Sequence, residues 1–340
     1  MRQIIPLHMN LQERIDLLVD LGIHIQSKNE EWESVKQKAY YQNKWFTEEF
    51  IGNAVKNIFE EFLQRDKLDN WCKRYAIPEK RDDAKTIGLV MAGNIPLVGF
   101  HDFLCVFVSG HKQVIKPSSK DEILIKYIVQ YLSEKRSTVN DFVSFSEMLK
   151  GCDAYLATGS NNSSKYFEYY FGKYPNIIRR NRTSVGLLHG DESIDELGKL
   201  SLDISMYFGL GCRNVTKVYV PENYDFVPLL EALKKFDYFA EHSKYKNNYD
   251  YQLAILIINS KFYMTNGSII LTENNSFFSP ISVLHYNYYK DMRAIEKTIE
   301  KSEDIQCVTG KNFLPFGSTQ KPSLTDYADG IDTLEFLTKL

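Results

Sequence analysis

Between about Asn10 and Tyr75 the apolar positions fall three and four residues apart, as in Ile15, Leu18 and Val19 and then Phe50, Ile51, Val55, Ile58, Phe59 and Phe62. No alternation of the strand type interrupts them, so the spacing predicts a helical leader. The leader ends at the charged, proline-containing break Ile77-Pro78-Glu79-Lys80-Arg81-Asp82-Asp83. Beyond it, short apolar runs alternate with helical ones. Thr86 to Ala92, Gln113 to Ile115, Val143 to Phe145, Ala154 to Ala157 and Ile177 to Leu188 read as strands. Leu97 to Val108, Asp121 to Leu132 and Ser163 to Phe171 read as helices. Strand, helix, strand at this spacing predicts crossover connections and a largely parallel sheet.

A second α/β stretch follows from about Asp191. Its expected helices are Ile194 to Tyr207, Phe226 to Phe239 and Tyr249 to Ile258, and its expected strands are Val215 to Val220, Ser268 to Leu271 and Ser282 to Tyr286. The organisation predicted is residues 1–85 as the leader, 86–190 and 191–315 as two α/β domains, and 316–340 as a closing segment. No long linker stands near Gly190, which predicts two domains packed together with a cleft between them. Neither an internal repeat nor a low-complexity segment is visible.

Composition changes this picture little. A chain of 340 residues, 44% hydrophobic and 25% charged, has enough apolar content for sizeable cores. A formal net charge of −3 gives no electrostatic reason to expect nucleic acid or an anionic membrane as partner. The basic cluster Arg179-Arg180-Asn181-Arg182 is too short to alter that, and the 14% of aromatic residues lack a basic groove that would make them a stacking platform. The first eight residues, Met1 to His8, are too short in apolar side chains for a signal peptide, and no run of about 18 apolar residues suggests a membrane span. Cys72, Cys105, Cys152, Cys212 and Cys307 form no CxxC pair, so reduced thiols in a cytoplasmic protein are expected and no metal site is implied. His189, His242 and His285 have no ligand spacing with the cysteines.

Candidate chemistry centres on Phe208-Gly209-Leu210-Gly211-Cys212-Arg213-Asn214, between an expected helix and an expected strand. The glycines three residues before and directly before Cys212 remove Cβ atoms where a substrate carbonyl would approach, and leave backbone N–H groups to face a developing oxyanion. Arg213 is the candidate to lower the thiol pKa. Taken alone, a cysteine beside a glycine turn is equally a buried core residue.

Three more landmarks precede it in order. Asn94, in Gly93-Asn94-Ile95-Pro96 after the first strand, is either an oxyanion donor or a turn asparagine. Lys116, in Lys116-Pro117-Ser118 after the second strand, either meets a ribose or phosphate or is a solvated strand-end lysine. Thr158-Gly159-Ser160 either offers N–H groups at a helix start to a pyrophosphate or is a plain N-cap. His101, on an expected helix, is a weaker candidate for a cleft residue.

These four motifs, with Phe278-Ser279-Pro280 and Pro315-Phe316-Gly317 in the tail, resemble in order and spacing those of the aldehyde dehydrogenase superfamily: Asn-Phe-Pro, Lys-Pro-Ser, Thr-Gly-Ser, Gly-x-x-Cys, Phe-Gly-Pro and Pro-Phe-Gly. The stretch Gly93 to Asp102 and the tail Lys321 to Gly330 are similar to the acyl-CoA reductase branch typified by the bioluminescence fatty-acid reductase. The resemblance runs from about Thr86 to Leu340. It implies a Rossmann-type parallel-sheet cofactor domain at 86–190, a second α/β domain at 191–315 carrying Cys212 as nucleophile, and Asn94 as oxyanion donor. It further implies a nicotinamide cofactor held by Lys116, Ser118, Ser119, Thr158, Gly159, Ser160 and Phe278, and a self-associating protein.

Three departures from the superfamily pattern refine the expectation. The Glu-Leu-Gly-Gly glutamate that activates water in hydrolytic members has no carboxylate counterpart in Arg179 to Ser184, so an acyl-cysteine should survive water attack. Ser119 and then Lys120 stand where an acid often follows Lys-Pro-Ser, which favours NADPH while leaving NADH possible. Ser276 and Ser164 replace the glutamate of Glu-x-Phe-Gly-Pro and the second glycine of the Gly-x-x-x-x-Gly turn. The expected activity is NAD(P)H-dependent reduction of an acyl-CoA or acyl-carrier thioester to an aldehyde. Alternatives are a cysteine acyltransferase or thioesterase without hydride transfer, and a non-catalytic assembly subunit of the same fold.

Overall fold

The computed structural model describes residues 9–340, which form two compact units: residues up to Arg180 together with Pro322–Leu340, and Asn181–Lys321. The expectation for Met1 to His8 lies outside the described residues.

The first unit opens with four helices, α1 (Leu11–Gln26), α2 (Glu30–Gln42), α3 (Glu48–Asn57) and α4 (Arg65–Arg74). A capping box starts α1: the Asn10 side chain accepts the Glu13 N–H, and Glu13 accepts the Asn10 N–H. The apolar positions read as a helical face, among them Leu18, Phe50 and Ile51, are buried.

Five strands and three helices follow: β1 (Thr86–Val90), α5 (Phe100–Ser109), β2 (Lys112–Lys116), α6 (Glu122–Lys135), β3 (Val143–Phe145), β4 (Ala154–Thr158), α7 (Asn161–Phe171) and β5 (Asn176–Arg179). They form a wholly parallel sheet in the order β3-β2-β1-β4-β5. The chain builds outward from β1 on one side, then crosses to β4 on the other. Between β1 and β4 lies the switch point at which open α/β sheets bind ligands. Helix α5 is buried on nearly all sides, with Phe103, Leu104 and Val106 in one core with Leu18 and Trp32 of the leader.

The second unit comprises β6 (Thr183–Leu187), α8 (Ile194–Ser205), β7 (Val215–Pro221), α9 (Val227–Leu233), α10 (Ser243–Ile258), β8 (Met264–Thr265), β9 (Ile270–Glu273), β10 (Val283–Tyr289), α11 (Met292–Glu300) and β11 (Ile305–Gly310). The sheet order is β11-β6-β7-β10-β9-β8, parallel except for the antiparallel edge strand β8. Pro322–Leu340 then rejoins the first unit, ending in α12 (Thr333–Thr338). There Trp71 donates to the Tyr327 hydroxyl at 3.0 Å, Tyr327 donates to Tyr75 at 2.9 Å, and Tyr75 donates to Asp332.

Four expectations are corrected. Ile177 to Leu188 is two strands in two sheets, because the Arg179 side chain is buried on Asp102 in the first unit while Thr183–Leu187 pairs with β7 and β11 in the second. The units therefore divide at Arg180 and Asn181 and again at Lys321 and Pro322, not at 190 and 315. The helix expected to reach Tyr207 stops at Ser205, since Tyr207 and Phe208 adopt left-handed conformations, φ 54° and 55°. The helix expected over Phe226 to Phe239 ends at Leu233 and continues as tighter turns over Lys234–Glu241.

Candidate active site

In the first unit the sequence motifs meet at the C-terminal ends of β1, β2 and β4. Gly93, just past β1, packs so closely on the turn after β2 that a Cβ there would lie 2.5 Å from Ser118 Oγ. Glycine is required for that approach. Half-buried Asn94 follows, and Leu97 then takes φ 56°, a conformation costing a non-glycine residue about 1 kcal/mol. Its N–H donates to Asp121 Oδ2 at 2.7 Å, and its carbonyl accepts the Phe100 N–H at 2.9 Å at the start of α5. Burial holds the Asp121 carboxyl well above the usual carboxylate range, with the Leu97 bond pulling the other way.

The turn Lys116 to Asp121 is fastened from several sides. Exposed Lys116 donates to the Glu147 carbonyl at 2.8 Å. Ser118 Oγ accepts the Lys120 N–H at 3.3 Å, and the Ser118 carbonyl accepts the Asp121 N–H at 2.9 Å. From the leader, Gln42 donates to the Ser119 carbonyl at 2.9 Å and Asn43 to the Lys120 carbonyl at 3.3 Å. Lys116, Ser119 and Lys120 leave ammonium and hydroxyl groups at the surface with no carboxylate between them, a donor set that suits the phosphates and ribose of a nucleotide.

After β4, Ser160 caps α7 by accepting the Ser163 N–H at 3.3 Å. The Gly159 N–H is used by the Arg179 carbonyl at 3.2 Å, and a Cβ at Gly159 would come within 2.8 Å of Phe167 and Ser163. Ser164 is buried and returns its hydroxyl to the Asn161 carbonyl. His101 packs against Phe62, Trp71 and Tyr327 with its ring tilted or edge-on to theirs, and its Nε2–H reaches the Leu324 carbonyl at 3.0 Å, so it is a packing residue of the first unit.

In the second unit Cys212 stands half-buried on a turn between the end of α8 and β7. Tyr207, Phe208 and Gly209 are left-handed in succession, and the Phe208 ring is held 4.5 Å from that of Phe239 and 4.8 Å from that of His242. The buried Asn214 amide organises the whole turn. Its Oδ1 accepts the Gly211 N–H at 2.8 Å, and its Nδ2 donates to the carbonyls of Asp203, Ile204 and Met206 at the end of α8. Those carbonyls would otherwise end the helix without partners.

Beneath the turn, Ser184 donates to the Cys212 carbonyl at 3.1 Å and lies 3.0 Å from Cys307 Sγ. Burial pushes the Cys307 thiol up, against hydrogen bonds from Ser184 and Arg213 that pull it down. Burial also pushes Cys72 up to about 12 and raises Cys105 and Cys152. Asp203 accepts the N–H groups of Gly317 and Thr319 at 2.6 and 3.1 Å, which ties the Pro315-Phe316-Gly317 loop to the end of the same helix. A small recess beside the turn is walled by Phe208, Gly209, Val215, Tyr245, Ile269 and Val283.

Phe278 is half-buried on the loop after β9. Ser276 turns its hydroxyl into that loop, donating to the Phe278 carbonyl at 2.9 Å. Lys217, buried on β7, donates to the Asn274 and Asn275 carbonyls at 2.9 Å, and burial lowers it to about 8. Among the described residues no group of His, Cys, Asp and Glu is arranged to hold a metal ion, and no helix is long and apolar enough to cross a membrane. Sequence reasoning missed Asn214, Asp203 and Asp121. The one available signal was an amide or carboxyl residue placed directly at a turn.

A five-stranded parallel sheet, followed by a second sheet unit carrying the Cys212 turn, is the aldehyde dehydrogenase fold. Solved structures similar to this chain include a mutant form of an aldehyde dehydrogenase from Bacillus cereus, at 15% identity and a TM-score of 0.64 over 89% of this chain and 72% of that one. An aldehyde dehydrogenase from Mycobacterium tuberculosis complexed with NAD+ matches at 13% identity and 0.62, over 93% and 77%. An NADP-dependent glyceraldehyde-3-phosphate dehydrogenase from Bacillus halodurans, complexed with NADP, matches at 12% and 0.61, over 89% and 74%. No family model and no curated protein matches the sequence.

Proposed function

We propose that this protein is an NADPH-dependent acyl-thioester reductase that converts a fatty acyl-CoA or acyl-carrier thioester to an aldehyde. The observation that carries the reading is the Cys212 turn: a half-buried cysteine whose preceding Gly211 N–H is held by the Asn214 amide, in a chain with no carboxylate in the Arg179 to Ser184 stretch. The Cys212 thiolate attacks the thioester carbonyl, a carbon–sulfur bond forms, and the carrier leaves as its thiolate. The Asn94 amide and the Cys212 N–H donate to the oxyanion. With no carboxylate in the Arg179 to Ser184 stretch to activate water, the acyl-cysteine persists. Lys116, Ser118, Ser119, Thr158, Gly159, Ser160 and Phe278 hold NADPH or, less favourably, NADH, which when bound supplies the hydride that the reduction requires. The setting proposed is cytoplasmic, with the protein self-associated.

Incubation with an acyl-CoA in the absence of nucleotide, followed by mass spectrometry, tests the nucleophile. An acyl adduct on Cys212, lost in Cys212→Ala, supports the reading. An adduct on Cys72, Cys105, Cys152 or Cys307, or none, removes it.

A second reading, a cysteine acyltransferase or thioesterase without nicotinamide, draws support from Ser276, whose hydroxyl is spent on Phe278, and from the Gly159 N–H, which is spent on Arg179. Nucleotide titration separates the two, since only the reductase binds NADPH.

A further inference from the structure

We propose that Asp121 is a positioning residue for the oxyanion donor: its carboxyl holds Leu97 in the left-handed conformation that fixes the turn bearing Asn94. This rests on the reading of Asn94 given above and deepens it.

Three observations carry it. The Leu97 N–H, in a conformation that an L side chain adopts only when held, has Asp121 Oδ2 as its acceptor at 2.7 Å. Asp121 lies at the N-terminus of α6 yet makes no side-chain cap to that helix, so its carboxyl serves the neighbouring turn instead. Gly93, at the other end of the Asn94 turn, is pressed against Ser118, whose carbonyl accepts the Asp121 N–H at 2.9 Å. The segment Gly93 to Leu97 is thus gripped at both ends by one short turn, Ser118 to Asp121. A donor aimed at an oxyanion works only if it is aimed before the charge develops, and this grip supplies that aim.

Asp121 is 6% exposed, and its second oxygen, Oδ1, is buried with no hydrogen-bond partner among the described residues. Such a group is costly as an anion, and burial favours its neutral form. An amide would hold Leu97 equally well, because an asparagine oxygen still accepts the Leu97 N–H and no charge is buried.

The experiment compares Asp121→Ala and Asp121→Asn with the wild-type protein in two assays. Hydrogen exchange reads the amides of residues 93–97, and mass spectrometry reads the rate of acyl-adduct formation on Cys212 at saturating acyl-CoA. Expected for Asp121→Ala are faster exchange confined to residues 93–97 and acylation slowed about tenfold or more, the scale of a misaimed oxyanion donor, with the half-saturating acyl-CoA concentration unchanged. Asp121→Asn is expected to restore both. Unchanged exchange in Asp121→Ala overturns the proposal, as does faster exchange with an unaltered acylation rate in a protein whose Asn94→Ala variant is slow. If Asn94→Ala itself acylates at the wild-type rate, the Asn94 assignment has failed, and the exchange result alone then decides whether Asp121 holds the turn. Should Asp121→Ala not fold, Asp121→Leu and Asp121→Asn give the same contrast, since only the amide accepts the Leu97 N–H.

Discussion

Asn214 and Gly211 are joined by a hydrogen bond of 2.8 Å in which the side-chain oxygen accepts the backbone N–H, so the residue before the cysteine is held by the residue two after it. The same amide nitrogen reaches Met206 at 2.7 Å. Asn214→Ala therefore strands a buried N–H and several helix-end carbonyls together. We expect a loss of about 3 kcal/mol or more in urea denaturation. Cys212 alkylation by iodoacetamide should change in rate while that of the buried Cys105 does not. An equally stable variant with unaltered alkylation would show that the turn keeps its shape without this amide.

Asn94→Ala should slow aldehyde formation by on the order of 10²-fold with little change in substrate affinity, because the lost donor acts on charge that develops only in the transition state. A change confined to the Michaelis constant would move Asn94 from chemistry to binding.

Ser119 is exposed on the turn that also carries exposed Lys116 and Lys120. Ser119→Glu should weaken NADPH binding selectively, since a carboxylate there repels a 2′-phosphate, and high salt should reduce any preference the lysines supply. Fluorescence titration with NADPH and NADH reads both effects. Identical affinities in the variant and the wild type would show that Ser119 does not face the ribose.

Buried His111 accepts the Lys85 N–H on Nδ1 at 2.9 Å and donates from Nε2 to the Leu337 carbonyl at 2.9 Å, which fixes it as the neutral tautomer. Burial lowers its pKa from 6.5 to about 4. Between those values the unfolded chain takes up the proton and the folded protein does not. Stability is therefore retained above pH 6.5 and falls as the pH drops toward 4, by about 3 kcal/mol in all from this residue. Denaturation midpoints at about pH 7, 5.5 and 4.5 check the sign: a His111→Gln variant should show a shallower fall than the wild type.

The parallel sheet of the first unit was legible because β1 and β4 carry short apolar runs such as Ile87-Gly88-Leu89, buried on both faces and bounded by turn residues. The leader was legible from its helical period alone. The break within Ile177 to Leu188 was marked only by the basic run Arg179-Arg180-Asn181-Arg182. What makes that run a boundary is the burial of the Arg179 guanidinium on Asp102 and Thr333, far away in sequence. Strand β11 escaped notice because Gln306 and Thr309 interrupt its apolar run, and α12 because its apolar residues are too few to show a period. At the site, Cys212, Asn94 and Lys116 announced themselves by motif. Asp121, Asn214 and Asp203 did not, since their tasks are set by backbone groups that only the folded chain brings to them.

The lacing of Trp71, Tyr75 and Arg179 onto Tyr327, Asp332 and Thr333 also orders events in time. During synthesis these partners are separated by the whole of the second unit, Asn181–Lys321. The buried Arg179 and the face of α5 that α12 covers must wait until residues 322–340 emerge. On a growing chain the second unit can thus complete itself before the first, and the half-built first unit passes through a stage with apolar surface open to other nascent copies.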